Sequence, residues 1–329
     1  MSGSDETAMQ TELSIILVNW NSMNYLRECL KSLYETTKGV SFEVIVVDSA
    51  SPQRDIENLP QEFPEAILVQ SQKNVGFAGA NNLGFAKSKS PILLFLNPDT
   101  QIVGPAITKM LKCYQALPDA GILGCKLLNS DGSVQTSCIQ KFPTILNQTT
   151  DIEYLRLRWP GCPLWDLGPL FSETPEPVKV EVISGACMMM RREIFEQAGM
   201  FSEEYFMYAE DLDLCYKVQH AGYSNYYTGD TVIIHHGGKS TGQQDVNEWA
   251  TQMKFKAILK FCRKTRGPVY NQLFRLSLGV AALLRLLFVA LAYPFANTRR
   301  LRAVFSKWRA ILKLAVGGDT PVLKTVVDS

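Results

Sequence analysis

Several patterns that define other protein classes are missing from this sequence. Its eight cysteines are scattered, without a Cys-x-x-Cys pair or a metal-ligand spacing, so we expect a reducing compartment and no disulfide framework. No Walker pattern and no G-x-G-x-x-G occurs, which excludes the common P-loop and dinucleotide-binding modules. Residues 1–10 are polar, and we therefore expect no signal peptide and a cytoplasmic protein.

Acidic residues are scarce near the end of the chain. Residues 254–329 contain 15 Lys or Arg but only two acids, Asp319 and Asp328, whereas residues 1–253 contain 18 basic and 30 acidic residues. A basic segment of this kind needs an anionic partner, either a membrane surface or nucleic acid. No nucleic-acid recognition motif accompanies it, so we expect a membrane surface and no nucleic acid.

An alternation of strand and helix patterns precedes the basic segment. Apolar, β-branched runs predict strands, and apolar residues at helical spacing predict helices. The strands are predicted at residues 13–20, 42–48, 67–70, 91–96 and 231–236, and the helices at 24–34 and 209–220. This alternation predicts an α/β fold with a mostly parallel sheet, in which ligands bind beyond the carboxyl ends of the strands. The Pro- and aromatic-rich residues 140–180 predict a long loop.

Two acidic groups lie where such a fold places its ligands. Asp99 ends Asn97-Pro98-Asp99 after a buried strand; there a carboxylate suits a divalent cation on a diphosphate, although Pro and Asp also favour an ordinary turn. Glu210 and Asp211 begin a helix, where a carboxylate can act as a general base or simply complement the helix dipole. Taken alone, each group leaves both interpretations open.

Two other groups are equally ambiguous in isolation. His235 and His236 end an apolar strand, where an imidazole can bind a metal or only form a hydrogen bond. Gly76 and Gly79 lie in residues 73–82, where they allow a ligand to approach the backbone or belong to a plain strand-to-helix turn.

Seven segments taken in order carry a family resemblance over residues 13–241. They are SIILVNWNS (14–22), VIVVDSASP (44–52), NVGFAGANNLGFA (74–86), LLFLNPDT (93–100), GACMMMRREIF (185–195), YFMYAEDLDLCYKVQHAGY (205–223) and VIIHHGGKST (232–241). This set resembles the family 2 glycosyltransferases, in particular their rhamnosyltransferase-like branch. The resemblance implies the A-type glycosyltransferase fold, a Rossmann-like α/β domain, which we expect to occupy residues 1–252.

The resemblance also implies roles for individual residues. The nucleotide-sugar site would comprise Asn19, Asn21, Asp48, Asn74, Gly76, Asn81 and Asp99. Asp99 and His235 would hold a divalent metal, Mg²⁺ or Mn²⁺, and Asp211 would be the catalytic base, with Glu210 as the second candidate. This chain departs from the family pattern in two places, because Ser49 follows Asp48 and Asn97 stands where the metal motif often begins with Asp.

The activity that the resemblance implies is an inverting sugar transfer from a nucleotide sugar to a hydroxyl of a glycan or lipid-linked glycan acceptor. It favours dTDP-rhamnose as the donor, with a UDP-sugar or a non-catalytic nucleotide-sugar-binding protein as alternatives. A glycoside hydrolase that uses Glu210 with Asp211 or Asp213 is disfavoured, because acids this close on one helix point in different directions and do not flank a sugar.

The basic region at residues 253–329 is predicted to form helices that associate with a membrane. Residues 273–296 are apolar enough to suggest a membrane helix, but Arg285 interrupts them. Residues 299–314 alternate basic and apolar side chains, which is typical of a helix lying in an anionic interface. We expect a peripheral protein on the cytoplasmic side of the cell membrane. A helical cap and a homo-oligomer contact are the alternatives.

Overall fold

The computed structural model describes residues 11–172, 174, 176–237, 248–293 and 299–317. The predictions for residues 1–10, and for residues 238–241 at the end of the last motif, lie outside the described residues. The strands are β1 (Leu13–Asn19), β2 (Phe42–Asp48), β3 (Ala66–Gln70), β4 (Ile92–Leu96), β5 (Thr100–Ile102), β6 (Ala120–Leu128), β7 (Ile139–Gln140), β8 (Val178–Val180), β9 (Val182–Ile183), β10 (Cys187–Arg191) and β11 (Ser224–His235).

Ten α-helices, and the short 3-10 helices Arg54–Asn58 and Gly168–Phe171, connect or follow these strands in the described part of the chain. The α-helices are α1 (Met23–Thr36), α2 (Leu59–Glu62), α3 (Gly76–Lys87), α4 (Ala106–Gln115), α5 (Ile145–Thr149), α6 (Glu153–Arg158), α7 (Arg192–Gln197), α8 (Glu210–His220), α9 (Glu248–Ala292) and α10 (Arg299–Ala315). The predicted strands and helices are all present, with ends shifted by at most two residues, except that the last strand, predicted at 231–236, begins at Ser224. Residues 140–180 are strand-poor as predicted, but they also form α5 and α6, whose short lengths leave little periodicity to detect.

Nine strands form one sheet in the order β3-β2-β1-β4-β10-β6-β11-β5, with β8 paired to β11. The half from β3 to β4 is parallel, as predicted. β10 is antiparallel to both of its neighbours, because the chain returns to the sheet from the opposite end after residues 129–186. The sheet is therefore mixed, and the α/β fold class with its A-type arrangement is confirmed.

The parallel half brings the ends of three strands together. β1 lies between β2 and β4, and its residues Ile15, Ile16 and Leu17 are fully buried, since helices cover both faces of this part of the sheet. The carboxyl ends of β1, β2 and β4 therefore share one edge at the point where the strand order reverses. This is where ligands bind in open α/β sheets.

The long helix α9 consists of two segments. Gly267, with a φ of 87°, and Pro268 break it. The first segment packs on the α/β domain through Phe261, which stacks on Phe142, and through buried Cys262. The second segment packs against α10.

Several apolar side chains of α10 are buried against this second segment, whereas Val304 and Phe305 are 38% and 45% exposed. Trp308, Ile311 and Leu314 are buried, and the Arg285 guanidinium lies 4.2 Å over the Trp308 ring. The exposed apolar surface predicted for residues 299–314 therefore belongs mainly to α9. Among the described helices, only α9 has the length and apolar composition to cross a membrane.

Candidate active site

A fixed cluster surrounds Asp48 at the ends of β1 and β2. Asn19 and Asp48 are direct partners across the two strands, and the Asn19 amide donates to Asp48 Oδ1 over 2.7 Å. Ser51 donates to the same carboxylate from its hydroxyl at 2.6 Å and from its backbone N–H at 3.0 Å. Asp48 is only 4% exposed. The cluster therefore holds the Asp48 carboxylate in a single orientation. In that orientation the carboxylate can accept a hydrogen bond from the hydroxyl or imide group of a ligand.

The loops that follow β1 and β2 contain left-handed backbone. Asn21 and Ala50 have φ values of 51° and 56°, and for Ala50 this conformation costs roughly 1–2 kcal/mol. Asn21 joins the Asp48 cluster by donating its backbone N–H to Ser51 Oγ at 3.0 Å. Strained backbone persists only where surrounding contacts hold it, and such contacts are concentrated at ligand sites.

The loop before α3 is tied to the same cluster. Asn74 Oδ1 accepts from Gly76 N at 3.0 Å and from the Ser49 hydroxyl at 3.2 Å. Gly76 has a φ of 72°, and a Cβ there would lie 2.3 Å from the Phe206 carbonyl oxygen, so only glycine fits. Asn81, also predicted for this site, is buried in α3, where its amide donates to the Phe77 carbonyl at 3.0 Å.

His235 and Asp99 face each other at the ends of β11 and of the turn after β4. His235 Nε2 lies 3.2 Å from Asp99 Oδ1, and His235 Nδ1 lies 2.8 Å from Gln135 Oε1. Gln135 Nε2 donates to the His235 carbonyl at 2.8 Å, which turns the Gln135 oxygen toward Nδ1. An imidazole with a single proton in this orientation would carry it on Nδ1, and its Nε2 atom faces both Asp99 and the Asn97 amide nitrogen, which lies 3.3 Å away.

This arrangement fits a divalent cation. Two acceptors that face each other at this distance repel unless a cation or a proton lies between them. The Asn97 side-chain oxygen beside them is buried without a hydrogen-bond partner. No third His, Cys, Asp or Glu joins them within the described residues, so a cation held by Asp99 and His235 would need its other ligands from diphosphate oxygens and water, as Mg²⁺ commonly does. Gln135 orients the imidazole in the way that outer partners of metal-binding histidines do.

The two adjacent acids at the start of α8 differ in their surroundings. Asp211 accepts from the backbone N–H groups of Gly185 at 3.1 Å and Leu212 at 2.8 Å. Glu210 is 7% exposed, and its Oε2 atom is buried without a partner. Burial, followed by the negative charge of Asp211, raises the Glu210 pKa well above its ordinary value. Burial also raises the Asp211 pKa, but the two N–H groups oppose this shift. The negative charge therefore resides on Asp211, and the proton on Glu210.

Asp213, two residues further on, belongs to a separate ion cluster. Its carboxylate lies 2.8 Å from Lys264 Nζ and 3.3 Å from Lys217 Nζ, and it accepts from the Ser202 hydroxyl at 2.6 Å. Burial raises the Asp213 pKa, but the bonds from Lys264 and Ser202 outweigh burial and hold it below its usual value. Because Asp213 is ionised and paired with two lysines, it has no proton to donate. It therefore cannot serve as the general acid of a glycoside hydrolase.

Asp211 and Glu210 open into a cavity of about 290 Å³ between α5, α6, α8 and α9. Its wall includes Lys254 and Ile258 of α9, together with Arg156 and Trp165 from the strand-poor segment. Tyr208 and Ala209, just before α8, have φ values of 70° and 63°. The backbone is therefore strained where it delivers both acids to the cavity.

Two consecutive residues, Gly185 and Ala186, connect the Asp99 turn with Asp211. Gly185 N donates to the Asp211 carboxylate, and the carbonyl of the next residue, Ala186, accepts from Asn97 N at 3.0 Å. The group that can accept a proton and the group that can hold a cation therefore lie on either side of residues 185–186. This arrangement can serve a reaction in which a hydroxyl is deprotonated near Asp211 while a leaving diphosphate is held near Asp99.

Three residues of this site had no role predicted from the sequence. Gln135 and Gly185 act through contacts with residues distant in the chain, and no local pattern signals them. Gly185 begins the segment at residues 185–195 that resembles the family, and this resemblance was the only indication in the sequence that it belongs to the site. Lys254 lies in the region predicted to be a separate helical tail.

Comparisons with known proteins identify the family of this chain. Residues 14–199 match the family described as Glycosyl transferase family 2. The chain is 29% identical, over 75% of its length and 83% of the relative, to an N-acetylglucosaminyl-diphospho-decaprenol L-rhamnosyltransferase of Mycobacterium tuberculosis. The mannosyltransferase PcManGT from Pyrobaculum calidifontis, solved with GDP-Man and Mn²⁺, has a TM-score of 0.60 at 16% identity, covering 94% of this chain and 88% of that one. This chain belongs to glycosyl transferase family 2, and its predicted resemblance is confirmed.

Other relatives are much longer than this chain. Over 79% of its length the chain is 26% identical to the O-antigen biosynthesis protein RfbC of Myxococcus xanthus, but this match spans only 20% of that protein. It spans 28% of the uncharacterized protein y4gI of Sinorhizobium fredii, also at 26% identity over 79% of this chain.

Proposed function

We propose that this protein is an inverting, metal-dependent glycosyltransferase that moves a sugar from a nucleotide sugar to a hydroxyl of a glycan acceptor. The observation that carries the proposal is the pair of clusters joined by residues 185–186. One cluster presents a carboxylate with its negative charge stabilised by two backbone N–H groups, and the other presents His235 and Asp99 to a cation. Residues 1–252 would form the catalytic domain, and residues 253–329 the helical region.

The chemistry follows from the positions of the residues. An acceptor hydroxyl in the cavity gives its proton to Asp211 as its oxygen attacks the anomeric carbon. The bond from that carbon to the nucleoside diphosphate breaks on the opposite face, so the configuration inverts. General-base assistance of this kind contributes typically 10²–10⁴-fold to the rate. Glu210 remains protonated and lowers the negative charge near the attacking oxygen.

The leaving diphosphate would be held at the sheet edge. Asp99 and His235 would hold Mg²⁺ or Mn²⁺, which neutralises developing negative charge on the diphosphate when bound. Asp48, fixed by Asn19 and Ser51, would accept a bond from the nucleoside. Asn21, Asn74 and Gly76 would shape the backbone around it, and Asn81 would support α3 from within.

The favoured donor is dTDP-rhamnose, and the favoured acceptor is a lipid-linked glycan. Support comes from the mycobacterial relative, whose name gives a rhamnosyl donor and a diphosphate-linked lipid acceptor. A UDP-sugar donor and a protein that binds the nucleotide sugar without transfer are the alternatives that an assay must separate.

We further propose that α9 and α10 hold the protein on the cytoplasmic face of a membrane without crossing it. Exposed apolar side chains recur every three or four residues along the second segment of α9: Val269, Leu273, Leu276, Val280, Leu283, Leu284, Leu287, Phe288 and Leu291. We call this row the apolar stripe. Arg285 points away from the stripe, since it donates to the Thr149 carbonyl at 2.7 Å. That bond ties the helix along the α/β domain, which favours a position in the membrane plane. The basic residues of α10, with Arg302, Arg309 and Lys313 exposed, suit anionic lipid.

The function is tested by incubating the purified protein with a panel of dTDP-, UDP- and GDP-sugars, with Mn²⁺ or with EDTA, and measuring thermal stability and transfer. A ligand present at 100 times its Kd stabilises the folded protein by about 2.7 kcal/mol, which is readily detected. We expect stabilisation by dTDP-rhamnose with Mn²⁺ and transfer to a diphosphate-linked glycan. Stabilisation by a UDP-sugar would change the donor. Binding without transfer to any acceptor would support a non-catalytic protein, and no binding would refute the proposal.

A further inference from the structure

The short helix α5 belongs to the wall of the cavity at Asp211. Asn147 and Gln148 of α5 line the cavity, and so do Asp151 and Arg156, which follow α5 in the chain. α5 has only five residues, and isolated helices shorter than about 12–15 residues are marginal in water. The position of this part of the wall therefore depends on the contacts that hold the ends of α5.

Side chains of α9 bond the main chain at both ends of α5. The Ile145 N–H donates to the Tyr270 hydroxyl oxygen at 3.1 Å, and Thr144 caps the same end with a side-chain bond of its own. At the other end, the Arg285 guanidinium donates to the Thr149 carbonyl at 2.7 Å. The last carbonyls of a helix have no partners inside it, and a cation beside them also suits the negative end of the helix dipole. The end of α5 that leads to the rest of the wall is therefore held by Arg285.

Arg285 is itself held by α10. Its guanidinium lies 4.2 Å over the ring of Trp308, which is buried. A guanidinium stacked on an indole and bonded to a carbonyl is fixed in one orientation, so that α5 has a rigid partner. A continuous set of contacts therefore runs from α10 through Arg285 to α5 and the cavity that α5 lines. The charge that interrupts the apolar run of α9 thus has a partner on the α/β domain.

We propose that Arg285 is a positioning residue for the acceptor, because it holds α5 where α5 forms the cavity wall. This inference rests on the proposed function, which places the acceptor hydroxyl in the cavity beside the base. Among the described residues that line the cavity, none belongs to the donor groups Asn19, Asp48, Asp99 and His235. A shift of α5 should therefore weaken acceptor binding and leave donor binding intact. The second segment of α9 is then part of the acceptor site in addition to carrying the apolar stripe.

The kinetic test compares Arg285→Met and Arg285→Lys with the wild type on a short-chain, water-soluble prenyl-diphosphate-linked glycan. No vesicles are added, so that membrane binding has no part in the result. Methionine can pack on Trp308 but cannot bond the Thr149 carbonyl, and the KM of Arg285→Met for this acceptor should rise about tenfold. Its KM for the donor should stay unchanged, and lysine should restore most of the loss. The matched control is Arg275→Met, because Arg275 lies on the same segment and donates to the Leu314 carbonyl of α10 at 3.1 Å. This control should leave both KM values unchanged.

Hydrogen exchange measured by mass spectrometry separates failure of this inference from failure of the proposed function, because it requires no transfer. The amides of residues 148–150 should exchange about tenfold faster in Arg285→Met than in the wild type or Arg275→Met, since local opening becomes easier. If the wild type transfers no sugar, the proposed function fails, and calorimetric titration of the same glycan decides the inference. Weaker binding together with faster exchange would then support it.

Three results would overturn the inference. Equal exchange in the wild type and both methionine variants would show that Arg285 does not hold α5. Faster exchange with an unchanged KM and affinity for the glycan, or no binding of the glycan to the wild type, would show that α5 does not form an acceptor wall. Equal rises in the KM for donor and acceptor would show a general structural role.

Discussion

Replacing Glu210 by glutamine tests which of the two adjacent acids carries the negative charge. Glu210 is buried without a partner for one oxygen, and its pKa is well above its ordinary value. In the unfolded chain a glutamate titrates near pH 4.3. The folded protein therefore keeps a proton that the unfolded chain releases, and the wild type loses stability as the pH rises above that value. Glutamine has nearly the same shape and does not titrate, so Glu210→Gln should escape this loss.

The size of the effect follows from proton linkage. One retained proton changes the free energy of unfolding by about 1.4 kcal/mol per pH unit between the unfolded and folded pKa values. Between pH 5 and pH 7 the stability of Glu210→Gln relative to the wild type should therefore rise by up to about 2.7 kcal/mol. Asp211 is present in both proteins, so its own titration largely cancels.

The assay is urea unfolding of both proteins at pH 5, 6 and 7, followed by tryptophan fluorescence, together with transfer activity at pH 7. A difference in stability that stays constant across this range would mean that Glu210 titrates normally, and the assignment of the proton would be wrong. The variant should retain most of its transfer activity. Its inactivation, with Asp211→Asn still active, would move the base to Glu210.

Three other substitutions test the rest of the site, and one truncation tests the helical region. Asp211→Asn should lower kcat by about 10²–10⁴-fold while nucleotide-sugar binding measured by calorimetry survives, because the amide keeps the shape but cannot take a proton; normal turnover would exclude Asp211 as the base. Asp99→Ala should nearly abolish transfer, and Gln135→Leu should weaken Mn²⁺ affinity about 10–100-fold by freeing the imidazole of His235; full activity of Asp99→Ala across a Mn²⁺ titration would contradict the metal site. Ending the chain at Asn271 removes most of the apolar stripe and α10. Flotation with liposomes should then show loss of binding to anionic vesicles but retained nucleotide-sugar binding, whereas high salt should weaken but not abolish binding of the full chain; equal flotation of the two proteins would leave the helices as a structural cap or an oligomer contact.

The sheet and the groups at its edge could be predicted from the sequence because their signals are local. Continuous apolar runs identify β1, β2 and β4, and the polar residues that directly follow such runs, Asp48 and Asp99, must lie at the strand ends. Which acid holds the proton could not be predicted, since Glu210 and Asp211 are neighbours in the sequence. They are distinguished by the backbone N–H groups of Gly185 and Leu212, which donate to Asp211.

The helical region could be predicted from the sequence only in part. Its apolar and basic periodicity predicted helices correctly, but periodicity does not specify which partner covers an apolar face. Trp308 and Ile311 are covered by α9, and the Arg285 charge that interrupts the apolar run is turned toward Trp308 and the Thr149 carbonyl. Lys254 could not be assigned to the cavity, because its position depends on how α9 packs against α5 and α6.

The turn at Gly185 and Ala186 has a consequence for how this enzyme can diverge. The Gly185 N–H is hydrogen-bonded to Asp211 and the buried Ala186 carbonyl to Asn97, so the proton acceptor and the cation-holding turn are tied to one short stretch of backbone. We call this linked separation the gauge; under the proposed function, the sugar ring lies across it between a hydroxyl and a diphosphate. Substitutions at the sheet edge that shift one side of the gauge also shift the other, and activity should suffer before preference changes. New acceptor preferences should instead arise in the walls that the gauge does not touch, namely residues 140–180 and the first segment of α9.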